Sequence, residues 1–219
     1  MPSRHVVPTF TLLFSTLGAA STAHAGPVTW EFAGDVTEII DPHNVLGQQV
    51  VIGSLLQGSF TFESTTPDTY PHPSGGRYNN AITNAHATIA SLPIDGPTTP
   101  EDFVPNYILA DVGDIDLPDL YGVSIPVYFL GHDFFALSFS LIGPHGTILD
   151  DDAILLSPPP LGALETHFFI NDPTESFAIA LKGRLETLVP EPSTLALLYL
   201  AGIILCRTGR MQDDVVDDE

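Results

Sequence analysis

The chain has 219 residues, with 27 Asp and Glu against six Lys and Arg, for a net charge of −21. That imbalance excludes nucleic-acid binding through a basic face, while an apolar fraction of 44% excludes a fully disordered acidic chain. The single cysteine, Cys206, lies in a C-terminal apolar run, so the rest of the chain holds no disulfide and no cysteine-ligated metal.

In chain order, residues 1–25 read as a secretory signal peptide. Arg4 supplies a short basic region, an apolar stretch runs from Phe10 to Ala20, and Ala23-His24-Ala25 places small residues where signal peptidase requires them. Cleavage after Ala25 leaves Gly26 first. Residues 26–188 are long enough for one domain with a buried core. From Gly26 to Pro190 the cations are Arg77, Lys182 and Arg184, against 21 acids, which leaves −18. Such a surface repels anionic partners and favours cations.

Within the domain, period-2 alternation recurs and helical periodicity does not. Val28, Trp30 and Phe32 alternate with Thr29 and Glu31. Strands are expected next at Gln49–Glu63, Ile82–Leu92, Tyr107–Ala110 and Val123–Leu130. Leu137, Phe139 and Leu141 then alternate with Ser138 and Ser140. Thr166–Ile170 is a further strand. The last pairs Phe177, Ile179, Leu181 and Leu185 with Ala178, Lys182, Arg184 and Glu186 on the other face. Turn-rich segments at Asp41-Pro42, Ser64–Arg77, Pro93–Pro105, Leu117-Pro118 and Ser157–Pro160 separate them. Eight or nine strands with long loops give an all-β fold, an antiparallel β-sandwich of jelly-roll type. Trp30, the one tryptophan, falls on an apolar strand face and is expected in the core.

The C-terminus holds Pro190-Glu191-Pro192, then an uncharged apolar run from Ser193 to Cys206, then Arg207 and Arg210. The prolines keep the tripeptide extended. The run is expected to form a transmembrane helix of about 21 Å, short against a core of roughly 30 Å, with the two arginines orienting it toward the cytoplasm. Residues 211–219 form an acidic tail.

Residues 189–210, VPEPSTLALLYLAGIILCRTGR, resemble the PEP-CTERM sorting signal. The stretch Gly53–Asp68, GSLLQGSFTFESTTPD, and the strand around Trp30 resemble the opening of β-rich proteins of that family. The resemblance implies a Gram-negative, exopolysaccharide-producing host and export through the secretion machinery. It further implies a transient inner-membrane anchor, recognition of Pro190, Glu191 and Pro192 by an exosortase, and delivery to the cell surface or extracellular matrix. The nine residues beyond Arg210 depart from the family pattern.

Chemistry-bearing constellations are sparse. No G-x-S-x-G occurs, and none of His43, His72, His86, His132, His145 and His167 has chelating spacing. Glu31, Glu63 and Glu165 are strand-borne carboxylates of the kind a glycosidase pair needs. Asp111, Asp114, Asp116 and Asp119 form one acidic group and Asp150, Asp151 and Asp152 another. Both are candidate Ca²⁺ ligands, set against the simpler reading of solvated acidic loops. No other cofactor is expected. The leading expectation is a non-enzymatic exported surface or matrix protein. The alternatives are a carbohydrate-binding module using Tyr70, Tyr78, Tyr107, Tyr121 and Tyr128, or a secreted glycan hydrolase.

Overall fold

The computed structural model describes residues 26–191 apart from 71, 73, 99–105, 113–116, 150 and 173–177. The signal segment with Ala23 and Ala25, and the tail with Pro192, Arg207 and Arg210, lie outside the described residues, as do Asp114, Asp116 and Asp150. Among the described residues no helix is long and apolar enough to cross a membrane.

The described residues form ten strands: β1 (Pro27–Ile40), β2 (Leu55–Glu63), β3 (Gly75–Asn79), β4 (Ile82–Ile89), β5 (Leu92–Gly96), β6 (Tyr107–Asp111), β7 (Asp119–Phe129), β8 (His132–Gly143), β9 (Glu165–Asn171) and β10 (Ala180–Pro190). All pairings are antiparallel. Eight strands pair in the order β1-β2-β4-β5-β7-β8-β9-β10, and β10 returns to β1, so the sheet closes into a barrel. The remaining two, β3 and β6, extend the sheet from β7, with β6 on its first half and β3 outside β6.

The all-β antiparallel expectation therefore holds, but the jelly roll is corrected. Each barrel strand pairs with its successor in the ring, an up-and-down course without Greek-key crossings, and the pairing of the first and last strands replaces two separate sheets with one closed one. Closure satisfies the hydrogen-bonding edges that two open sheets would expose.

Several boundaries also differ from the sequence reading. The Ile82–Leu92 strand breaks at Ala90 (φ 48°) and Ser91 (φ 72°), the positive-φ pair of a two-residue hairpin turn, so Leu92 begins β5. Neither residue carries a usual turn signature. Leu130 (φ 52°) and Gly131 (φ 85°) make the same turn between β7 and β8. Gln49–Ser54 is loop, turned by Gly53 at φ 86°, whose N–H donates to the Val36 carbonyl at 2.8 Å. Conversely, β3 and β5 lie in segments rich in turn residues.

The inward face follows from the alternation. Trp30, Phe32 and Val36 of β1 meet Leu56, Phe60 and Phe62 of β2, and Val123, Phe139 and Phe168 close the far wall. Trp30 is fully buried, as expected, edge-on to Phe62 with ring centroids 5.4 Å apart and tilted to Tyr121 at 5.8 Å. An eight-stranded barrel is just wide enough to be filled by side chains, and here aromatic rings fill it. Gly183 faces inward where a Cβ would run into the Phe168 ring, so the glycine is what admits that ring.

The two barrel ends differ. One carries the tight turns and the Asp41–Ser54 loop, whose Leu46 and Val50 are buried against the core. The other carries the long connections, including residues 144–164 with buried Ile148, Leu149, Ile154 and Leu164. Because β1 enters and β10 leaves antiparallel, Gly26 and Glu191 both lie at this second end.

Candidate functional site

At the β10 terminus, Pro190 stands opposite Trp30 and the Glu191 N–H donates to the Thr29 carbonyl at 3.0 Å. Two residues of the Pro-Glu-Pro tripeptide are thus still held on the barrel wall, with no linker between fold and motif. At the same end, the Gly26 N–H donates to Ser64 Oγ at 3.2 Å.

The acidic groups take different roles. Asp119 opens β7 and is fully buried. Its Oδ2 accepts the N–H groups of Thr147, Ile148 and Leu149 at 3.1, 3.1 and 3.3 Å, and His145 Nδ1 stands 3.5 Å from Oδ1. Burial acts to raise its pKa, but the backbone N–H groups of Ile148, Leu149, Gly146 and Thr147 together outweigh burial and hold the carboxyl below its ordinary value. Asp119 is therefore a clamp on the 144–164 connection. Asp151 Oδ1 accepts from the Ala153 N–H at 2.9 Å, capping its own turn. Asp152 accepts the Tyr78 hydroxyl through its backbone carbonyl at 2.5 Å. Asp111 is exposed at the end of β6. Among the described residues no three His, Cys, Asp or Glu side chains converge as a metal site would require.

Of the five tyrosines, Tyr78 and Tyr121 are buried and cannot present a ring to a glycan, which corrects their assignment as a platform. Burial pushes the Tyr78 phenol up to about 12, aided by the charges of Asp152, Asp68 and Asp151. Tyr70 and Tyr128 are about half exposed, and Tyr107 is half-buried on the outer face. Glu31, Glu63 and Glu165 fall on β1, β2 and β9, with no two in cross-strand register.

Two histidine–carboxylate pairs are formed on outer faces. His86 Nδ1 and Asp95 Oδ1 lie 2.6 Å apart across β4–β5, and His167 Nε2 and Glu165 Oε1 lie 2.7 Å apart along β9. Among the described residues no serine hydroxyl is hydrogen-bonded to either histidine. The second pair borders a groove of about 430 Å³ over β9, β10 and β1, lined by Thr37, Glu165, His167, Lys182 and Arg184 among others. Lys182 Nζ sits 5.7 Å from the Phe169 ring centroid. The sequence reading missed this groove. Its signal was present in outline: two of the domain's three cations alternate on one strand, but only pairing with β9 brings His167 and Phe169 beside them.

Comparison with family models, with curated proteins and with solved structures returns no match to this chain.

Proposed function

We propose that this chain is an exported, non-enzymatic surface or matrix protein of an exopolysaccharide-producing bacterium. Its C-terminal Pro190-Glu191-Pro192 motif is read by an exosortase, and its apolar segment from Ser193 to Cys206 serves as a transient membrane helix oriented by Arg207 and Arg210. The observation that carries this reading is the succession of Pro-Glu-Pro, apolar run and arginines in the sequence, which begins where the fold stops: β10 ends at Pro190, and the Glu191 N–H bonds back to β1. Two features of the barrel accord with it. The signal-peptide junction and the sorting motif leave from one end, so both membrane attachments act on the same side of the domain. The interior is packed with aromatic side chains, which puts any working surface on the outside.

Glu191→Ala tests the reading. Export should be intact and the longer, membrane-bound form should accumulate, while native material should lack the peptide ending in Glu219. Maturation of the variant at the wild-type rate would refute the motif's role. Glycan binding, a second reading, is favoured by the groove beside Lys182 and Phe169.

A further inference from the structure

The domain's three cations are not scattered. Following the strand register outward across the sheet, Arg77 of β3 lies beside Leu109 of β6, then Gly122 of β7, Ser140 of β8 and His167 of β9. The next row reads Asn79, Tyr107, Ser124, Ser138, Phe169 and Lys182. Arg184 follows Lys182 two residues along β10, on the same face. These rows hold Arg77 and Lys182, with Arg184 beside them, and so gather the three cations between Gly26 and Pro190; carboxylates border them, Glu165 against His167 and, on β1, Glu38 opposite Lys182 and Asp35 opposite Arg184. The rows also contain both cation–aromatic pairs found among the described residues: Arg77 lies 4.7 Å from the Tyr107 centroid, and Lys182 lies over Phe169. Among the described residues, none of the three cations has a carboxylate within ion-pair distance.

The relief of this face fits a chain-like ligand. Between the Arg77–Tyr107 pair and the Lys182–Phe169 pair, the floor consists of Gly122, Ser138 and Ser140, which are small and half-buried, while Ser124 beside Tyr107 is buried. A Cβ on Gly122 would make only ordinary contacts with Leu109 and Phe139, so that position is not crowded. Five strand spacings separate β3 from β10, about 24 Å at the usual distance between strands. A strip of that length, with a cation and an aromatic ring toward each side and hydroxyls between, is complementary to a polymer that carries spaced anionic groups, flat apolar ring faces and many hydroxyls.

We propose that this outer face of β3-β6-β7-β8-β9-β10 binds an anionic polysaccharide. Arg77, Lys182 and Arg184 meet its carboxylates or sulfates, Tyr107 and Phe169 stack on its sugar rings, and Ser138 and Ser140 bond its hydroxyls. The domain's −18 confines such a polymer to this strip, because the rest of the surface repels it. The proposal deepens the glycan-binding reading and rests on it, but it is independent of tail processing.

The full-length chain, purified in non-ionic detergent, is titrated by calorimetry with a polyuronate, with neutral dextran and with polyglutamate. The polyuronate should bind, dextran and polyglutamate should bind at least tenfold more weakly, and raising NaCl should weaken the complex. Lys182→Gln with Arg184→Gln should reduce affinity at least tenfold. Arg77→Gln and Phe169→Ala should each reduce it severalfold, all while folded by circular dichroism at the titration temperature, and His86→Ala on the far wall should leave it unaltered. No polyuronate binding, binding indifferent to these variants, or equal binding of polyglutamate would each overturn the proposal. The sorting reading fails separately, if native material retains Glu219.

Discussion

At the scale of single residues, Asp119 is the group whose chemistry matters most to the barrel. It is the one fully buried carboxylate among the described residues, and three N–H groups of the 144–164 connection depend on its Oδ2. Its folded pKa lies below the ordinary 3.8. As pH falls through that range, the unfolded chain takes up a proton that folded Asp119 refuses. The stabilisation is therefore complete above the ordinary value and is lost as pH drops through the folded one. Asp119→Asn removes the charge and weakens three charge-assisted bonds, at a cost of about 2 kcal/mol at neutral pH. Thermal melts between pH 7 and pH 3 should show a lower melting temperature for the variant and a shallower acid decline. Parallel curves at equal height would contradict the clamp. The sequence places Asp119 in an acidic group, where a cation site is a natural reading. Only the fold shows that backbone N–H groups already serve its Oδ2, because those donors lie 28 to 30 residues downstream.

At the scale of elements, the β4–β5 hairpin is locally unfavourable. Ala90 and Ser91 both hold positive φ, which costs an L-residue roughly 1–2 kcal/mol each relative to glycine. The turn persists because register on both sides is set by burial of Ala87, Ile89 and Ile94. Replacing the pair by Asn-Gly should stabilise the domain by about 1 kcal/mol, read as a higher urea midpoint at unchanged slope. A lower midpoint would mean the side chains at 90 and 91 contribute contacts that the turn geometry does not explain. This hairpin also accounts for a misread boundary. Alternation runs on through Ile82–Leu92 without a glycine, proline or asparagine at the break, so local sequence contains no signal for the turn that packing imposes.

At the scale of the whole molecule, charge and closure act together. With twenty-one acids against three cations, the domain's carboxylates repel one another, and the described ion pairs are histidine–carboxylate contacts. Screening should therefore stabilise the fold. The melting temperature at pH 7 should rise as NaCl goes from low concentration to about 0.3 M, where the Debye length is well under 10 Å. A fall with salt would show that local attractions outweigh the net repulsion.

The sequence alone determined the strand character of the domain, the burial of Trp30 and the lack of a G-x-S-x-G motif. Each of these is written in neighbouring residues, as period-2 alternation or as a contiguous motif. The tertiary structure decided that the first strand meets the last, that β3 and β6 widen the sheet outside the barrel, and that Arg77 shares a face with Lys182 and Arg184. Those facts depend on register between segments as much as 160 residues apart, such as Trp30 with Pro190. Register is selected by filling one interior with the right volumes, a property of the assembled barrel that no single strand carries.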